Sequence, residues 1–173
     1  MKFLLFISPN EFKDESVKMV KDFFDKWGVK YSISSFSNKE CIGSHGSTYF
    51  PEINTNKINI SDYDGIIILD GRGVDLYKIY EFRPLLDIIY EFNKQHKYIV
   101  AINNSVKVVA RANIIKDRKI SLPKDEETKK LVMLFRGLPT DKEIEKSENL
   151  YTIKDPTKLD ETIPQLLEYL NIK

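Results

Sequence analysis

Four apolar runs along the chain have the length and composition of buried β-strands. They lie at residues 3–7, 29–35, 65–69 and 98–102. The third run is continuously apolar from Ile66 onward, a pattern typical of a strand that is covered on both faces in a parallel sheet. The sequence therefore predicts four strands of a mainly parallel sheet.

The segments between these runs have the apolar spacing of amphipathic helices. One face of the first segment carries Val17, Val20, Phe24 and Trp27. Gly28 then provides a C-terminal stop. A second helix is predicted around residues 84–92, and Pro84 suits its first turn. Because strands alternate with helices, we expect an α/β fold with a doubly wound, mainly parallel sheet and helices on both faces.

Two further segments complete the organisation of the chain. Residues 157–170 carry a third apolar stripe, and Pro164 places the expected start of this helix near Thr162. Residues 37–57 contain few apolar side chains and predict a long loop or a small hairpin. No repeat, low-complexity tract or linker divides the sequence, so we expect residues 1–173 to form a single domain.

Composition and charge exclude several classes of protein. Hydrophobic residues make up 42% of the 173 positions and charged residues 31%, which excludes a disordered or coiled-coil chain. Lys and Arg number 27 against 26 acidic residues, so the basic excess of a nucleic-acid binder is absent. Cys41 is the only cysteine, and no apolar stretch approaches the length of a membrane helix. We therefore expect a cytoplasmic protein without nucleic-acid or membrane partners.

In an open parallel sheet, ligands bind beyond the carboxyl ends of the strands, where the strand order reverses. The corresponding junctions here are residues 8–15, 70–75 and 103–105. The second junction contains two glycines, whose backbone amides could approach a ligand closely, although a plain turn would use the same residues. Arg72 between them could hold an anionic ligand or form a surface ion pair.

The third junction has the layout of a nucleophile elbow. An apolar strand ends abruptly at Asn103 and Asn104, and helical residues 106–112 follow at once. A nucleophile elbow holds one residue at a strained strand-to-helix turn beside the first amides of the helix. Both asparagines could bind a carbonyl, carboxylate or amide group, or they could cap the helix.

Five segments, taken in order, resemble the ThiJ/PfpI (DJ-1-like) family. They are residues 10–15, 43–46, 62–73, 97–105 and 112–121. The resemblance runs almost end to end and implies a flavodoxin-like three-layer sandwich that usually forms dimers or larger homo-oligomers. Active members of the family use an elbow cysteine, often followed by histidine, and a glutamate on the first loop. They have been assigned peptidase, glyoxalase, deglycase or redox-sensing roles.

This chain differs from the family at the positions of the family's catalytic residues. Asn103 falls at the cysteine position and Asn104 at the histidine position, and Asp70 replaces the first of the paired glycines. The loop glutamate falls on Lys13 or Ser16, depending on the register. Because an amide nitrogen is not nucleophilic, Asn103 cannot open a covalent mechanism.

We therefore expect a non-catalytic, homo-oligomeric ThiJ/PfpI-like protein without a cofactor or metal. A small polar ligand would bind at the elbow, on Gly71, Arg72, Asn103 and Asn104. The alternative is an enzyme of the same family that uses a carboxylate and a bound water, with candidate acids Glu11, Glu15 and Asp70. A perturbed carboxylate in the elbow pocket would favour the enzyme, and a pocket filled by side chains would favour a structural role.

Other interpretations are weaker. Asp70 also ends a strand as the phosphoacceptor of a response-regulator receiver does, but the first loop lacks the acidic pair that a receiver needs. A mechanism based on Ser105 would need a histidine, and His45 lies in the 37–57 excursion while His96 precedes the fourth strand. We expect His96 to be a solvated loop residue and Cys41 a passive, half-buried thiol.

Overall fold

The computed structural model describes residues 1–170. Within them, twelve strands are present: β1 (Lys2–Phe6), β2 (Asn10–Phe12), β3 (Lys30–Ser35), β4 (Cys41–Gly43), β5 (Thr48–Tyr49), β6 (Ile53–Asn54), β7 (Gly65–Ile68), β8 (Tyr98–Ile102), β9 (Lys119–Ser121), β10 (Leu138–Thr140), β11 (Ile144–Ser147) and β12 (Leu150–Ile153). The α-helices are α1 (Asp14–Lys26), α2 (Gly73–Leu76), α3 (Arg83–Lys94), α4 (Val106–Arg111), α5 (Glu126–Leu134) and α6 (Leu159–Tyr169).

A seven-stranded sheet forms the centre of the molecule, in the order β11-β12-β8-β7-β1-β3-β6. Its neighbouring strands are parallel except for β11, which is antiparallel to β12. The chain places β3 and β6 on one side of β1 and then returns to the other side for β7 and β8. The strand order therefore reverses between β1 and β7, which is where an open α/β sheet forms its ligand crevice.

Apolar side chains cover both faces of this sheet. Alternate residues of the strands point to opposite faces, so Leu4 and Phe6 join one core cluster while Phe3 and Leu5 join the other. The first cluster packs against α3, α4 and α5, and the second against α1 and α6. The α/β three-layer sandwich with a doubly wound, mainly parallel sheet is confirmed. No helix in the described part of the chain is both long and apolar enough to cross a membrane.

The four predicted strands and the first two predicted helices are present with bounds close to those expected. Helix α1 ends as predicted, because Gly28 follows its C-cap with φ of 68°. Pro84 lies in the first turn of α3, where the missing N–H has no helical partner to lose. The 37–57 excursion contains the small hairpin of β4 and β5, which joins β2 in a three-stranded sheet.

The predicted start of the last helix is wrong. Helix α6 begins at Leu159 rather than near Thr162, and Pro164 lies inside it. The proline ring is exposed, and the carbonyl that loses its partner belongs to the exposed Asp160, where water can replace the bond. The hydroxyl of Thr162 donates to the Lys158 carbonyl, 3.1 Å away, and supports the same turn.

Candidate functional site

The elbow geometry predicted at the end of β8 is present. Asn103 has φ of 50°, in the left-handed region that asparagine tolerates better than most residues. A short 3₁₀ turn (Asn103–Ser105) follows and leads directly into α4. The fully buried Ser105 hydroxyl accepts from the Ile102 amide at 2.8 Å and lies 2.8 Å from the Ile68 carbonyl, to which it can donate. Ser105 therefore closes the turn between β7 and β8 and is not placed as a nucleophile.

The two elbow asparagines contact the loops on either side of β8. The Asn103 amide nitrogen donates to the Lys154 carbonyl at 2.8 Å, beyond the end of β12. The Asn104 amide donates to the Gly71 carbonyl at 2.7 Å and accepts from the Gly71 amide at 3.2 Å. Neither side chain caps the helix, so the helix-cap interpretation of these residues is wrong. The Gly71 amide, which could have faced a ligand, is occupied by Asn104.

Both glycines of the 70–73 turn allow the first loop to pack closely. Gly71 has φ of 132°, and a Cβ there would lie 2.6 Å from the Glu11 carbonyl oxygen and from the Lys13 nitrogen. A Cβ at Gly73 would collide with the Asn10 carbonyl oxygen. Glycine is therefore needed at both positions because the 70–73 turn packs directly against the first loop, and a ligand is not required to explain it.

Asp70 is the most perturbed carboxyl group at this edge of the sheet. Its side chain is 1% exposed, and its Oδ1 has no hydrogen-bond partner among residues 1–170. Burial raises the pKa of Asp70 to about 6, and the nearby Ser16 hydroxyl opposes part of that rise. A carboxyl group with this pKa changes its charge close to neutral pH, as a general acid or base must.

The other two candidate acids are engaged by neighbours. The Glu11 carboxylate accepts from the Ser44 hydroxyl at 2.7 Å and lies 3.9 Å from the Arg72 guanidinium. The Glu15 carboxylate lies 2.6 Å from Nδ1 of His45. The pKa of Glu15 is lowered by its own backbone amide at the start of α1 and by His45. Both carboxylates thus already have partners.

His45 is the site residue that sequence reasoning missed. The buried Asp14 carboxylate accepts from the backbone amides of His45 and Ser47, each at 2.8 Å, and so fixes the tip of the β4–β5 hairpin beside α1. Donor atoms of Asp14, Glu15 and His45 lie within 4.8 Å of one another, close enough to offer ligands to a metal ion. Both Asp14 oxygens already accept amide hydrogens, so the arrangement is satisfied by the hairpin itself.

A cavity of about 350 Å³ opens where these loops meet, and we call it the elbow pocket. It is lined by Lys13, Glu15, Ser44, His45, Asp70, Gly71, Arg72, Asp75, Asn103, Asn104 and Pro156. The three junctions expected to form the site thus do meet at one edge of the sheet. Of the candidate residues, Glu11 alone is outside the lining. Apart from Gly71 and Pro156, the lining residues have polar or charged side chains, so the cavity offers hydrogen-bonding groups and charge to a ligand.

Asp75 connects the elbow pocket to the buried Lys107 of α4. The Lys107 ammonium lies 2.7 Å from Asp75, whose other oxygen is 3.4 Å from the Asn104 amide. Burial alone would lower the pKa of Lys107, but Asp75 and the nearby Asp125 and Glu127 raise it, so the lysine stays charged. This network holds Asn104 against the 70–73 turn.

The remaining reactive side chains lie away from the pocket. Cys41 is buried rather than half-buried, with 2% of its surface exposed, its thiol donates to the Lys39 carbonyl at 3.6 Å, and burial raises its pKa. A thiol with a raised pKa is a poor nucleophile. His96 is exposed in the turn between α3 and β8, at the opposite edge of the sheet, as expected.

Comparison with protein families and known proteins points to one family. A family model described as the DJ-1/PfpI family matches residues 1–169. An uncharacterized protein of Methanocaldococcus jannaschii is 28% identical over 155 residues, which cover 90% of this chain and 75% of that protein. The deglycase PfpI of Pyrococcus furiosus is 22% identical over 116 residues, covering 67% of this chain and 69% of that protein.

Solved structures share the fold over nearly the whole chain. A ThiJ/PfpI domain protein from Brachyspira murdochii has a TM-score of 0.91 at 18% identity and covers 98% of this chain and 96% of its own. Drosophila melanogaster DJ-1beta has a TM-score of 0.86 at 18% identity, covering 99% and 91%. At this identity, the likeness shows the fold.

Proposed function

The chain belongs to the DJ-1/PfpI family, and we propose that it is a member without cysteine chemistry that binds a small polar ligand in the elbow pocket. One observation carries this proposal: the strained elbow is retained with Asn103 at its apex, and an open cavity remains in front of it. The cleft is open to solvent and leaves room for a small ligand beside the elbow.

The contacts of the elbow support a binding role. The Asn103 amide nitrogen is engaged by the Lys154 carbonyl, so its carbonyl oxygen remains as the polar group offered to a ligand. Lys13 and Arg72 supply positive charge to the lining, and Glu15, Asp70 and Asp75 supply negative charge. A ligand that carries both hydrogen-bond donors and acceptors matches these walls best.

Two measurements on the purified protein test this proposal. Methylglyoxal consumption by the wild type, read against a heat-denatured control, is expected to be absent, and turnover would overturn the non-catalytic assignment. In parallel, a panel of small carboxylates, amines and hydroxycarbonyl compounds is added to ¹⁵N-labelled protein. Saturable shifts of the Gly71, Arg72 and His45 amides are expected from at least one compound. If no compound moves them, the elbow pocket is not a binding site for these classes.

A second candidate function is favoured by the raised pKa of Asp70. In an enzyme that works through a bound water, this carboxylate would act as a general base, since Glu11 and Glu15 are already engaged. Turnover of any panel compound would then rise with pH around 6 and would be lost in Asp70→Asn. Turnover that survives Asp70→Asn would exclude this role for Asp70.

A further inference from the structure

A second cavity, which we call the lysine cavity, adjoins the elbow pocket. Its volume is about 380 Å³, and it is lined by Asn103, Pro123, Lys124, Glu143, Lys154, Asp155 and Lys158. Asn103 lines both cavities. The lysine cavity lies beyond the carboxyl ends of β8 and β12, so the two cavities are neighbours along the same edge of the sheet.

The carboxylates of the lysine cavity already have partners. One oxygen of Glu143 lies 3.2 Å from the Lys158 ammonium. Asp155 accepts from the Thr157 amide at 2.9 Å and from its hydroxyl at 2.6 Å, and these bonds lower the pKa of Asp155. Lys158 thus offsets the charge of Glu143, whose other oxygen is buried without a hydrogen-bond partner among residues 1–170, and Asp155 stays ionised in a local turn.

Two ammonium groups in the lining have no such partner. Among residues 1–170, no carboxylate lies within 4.0 Å of Lys124 or Lys154. The lining as a whole carries three lysines against two acids, which leaves one net positive charge. Lys124 is exposed and Lys154 is half-buried, and ammonium groups bind carboxylate and phosphate oxygens through charge-assisted hydrogen bonds.

Helix α6 begins beside this cavity, since its N-cap residue is Lys158, a lining residue. Asp160 and Glu161 lie in its first turn, and the Asp155 carboxylate caps the short 3₁₀ turn that precedes it. These acids offset the partial positive charge of the helix N-terminus, so attraction for an anion depends on the lysine side chains.

We infer that the lysine cavity binds an anionic group, a carboxylate or a phosphate, through Lys124 and Lys154. This inference deepens the proposed function: the ligand of the elbow pocket extends past Asn103 and places its anionic end in the lysine cavity. The ligand is thus a small molecule with a polar head for the elbow pocket and a carboxylate or phosphate tail.

The test uses the full-length ¹⁵N-labelled protein and simple anions. Inorganic phosphate and acetate are titrated separately, each against sodium chloride at matched ionic strength. We expect saturable shifts of the Lys154 and Lys158 amides and of the Asn103 side-chain amide, which sodium chloride does not reproduce. The anion that binds with the lower dissociation constant identifies the tail of the ligand as phosphate or carboxylate.

Two double variants distinguish binding at the lysine cavity from nonspecific attraction of anions to surface lysines. Lys124→Gln with Lys154→Gln is expected to weaken anion binding by about tenfold, because the charge-assisted hydrogen bonds of both ammonium groups are lost. The matched control is Lys26→Gln with Lys94→Gln, which removes the same charge from the exposed ends of α1 and α3. The control is expected to bind phosphate as the wild type does.

Three results would overturn the inference: shifts reproduced by sodium chloride, unchanged affinity in the Lys124/Lys154 variant, or equal loss in the control. A different result would contradict the proposed function without contradicting the anion site. If phosphate binds while no panel compound moves the Gly71 or His45 amides, the anion site stands and the elbow-pocket ligand does not. If a compound binds the elbow pocket without competing with phosphate, its tail does not reach the lysine cavity.

Discussion

Asn103 holds a backbone conformation that most side chains resist, and it does so without the chemistry that usually accompanies an elbow. Its φ of 50° is combined with a hydrogen bond to the Lys154 carbonyl. Alanine lacks that bond and is strained in the left-handed region, whereas glycine lacks only the bond. We expect Asn103→Ala to lower the free energy of unfolding by about 1–2 kcal/mol and Asn103→Gly by about 1 kcal/mol less. Urea denaturation of both variants measures the difference, and equal losses would show that the elbow is not strained.

Asp70 gives the protein a distinctive dependence of stability on pH. Its folded pKa, about 6, lies above the ordinary value of 3.8. Between these values the folded state holds a proton that the unfolded state has lost, so this group contributes less stability as pH rises from about 4 to about 6. A difference of about two pKa units corresponds to about 3 kcal/mol. We therefore expect Asp70→Asn to be more stable than the wild type at pH 8, by up to about 3 kcal/mol, and equally stable at pH 4.

Chemical denaturation of both proteins across this pH range isolates the effect of Asp70, because all other ionisable groups are shared. A stability difference that does not change with pH would show that the carboxyl group is not perturbed. A buried carboxylate that costs stability at neutral pH, where an amide of the same shape would not, is typical of a functional position.

At the scale of elements, Asp14 fastens the β4–β5 hairpin to the first turn of α1. Burial alone would raise the pKa of Asp14, but the amides of His45 and Ser47 outweigh it and hold that pKa below its usual value. We expect Asp14→Ala to cost about 2–3 kcal/mol, because two amides lose a charged acceptor. The same change should release His45 from the rim of the elbow pocket.

Thermal unfolding and hydrogen exchange of the His45 and Ser47 amides measure these effects. The matched control is Asp22→Ala, which removes an exposed aspartate from the same helix and breaks only the ion pair with Lys18. Exposed pairs of this kind contribute a few tenths of a kcal/mol. Unchanged protection at His45 in Asp14→Ala would mean that the hairpin is held by other contacts.

The elements that could be predicted are those that bury a continuous apolar run or a clear helical stripe. Strands β7 and β8 are such runs, and α1 has both a stripe and a glycine stop. Strands β11 and β12 were not predicted. Strand β11 lies at the sheet edge and contains a single apolar residue, Ile144, and β12 has only four residues, including Thr152, whose hydroxyl accepts from the Ser121 amide. Their place in the sheet depends on tertiary pairing that local pattern does not encode.

At the scale of the whole molecule, topology explains which site residues could be predicted. The reversal of strand order brings the loops after β1, β7 and β8 together, so the residues of these three junctions were found from strand ends alone. His45 was not found, because it reaches the pocket from an excursion 30 residues beyond Glu15, its hydrogen-bond partner. The lysine cavity was missed for the same reason, since it depends on the position of β12 beside β8.

At the scale of the whole molecule we also predict self-association, as a dimer or a larger homo-oligomer, from the family to which the chain belongs. Exposed apolar side chains are present at the end of α5 and after the β4–β5 hairpin. Leu134, at the end of α5, is 74% exposed beside Met133 at 56%, and Phe50, after the hairpin, is 65% exposed. Large exposed apolar side chains that lie together are typical of interfaces.

Sedimentation velocity over a range of protein concentrations tests the prediction and locates the interface. Leu134→Glu places a charge in the α5 region, and Phe50→Glu places the same charge in the hairpin region, so each variant is the matched control for the other. We expect one of them to dissociate the oligomer while the other sediments as the wild type does, because burying an unpaired carboxylate at an interface is strongly unfavourable. A wild type that remains monomeric at every concentration would show the prediction of self-association to be wrong, and two variants that both stay assembled would place the interface on a third surface.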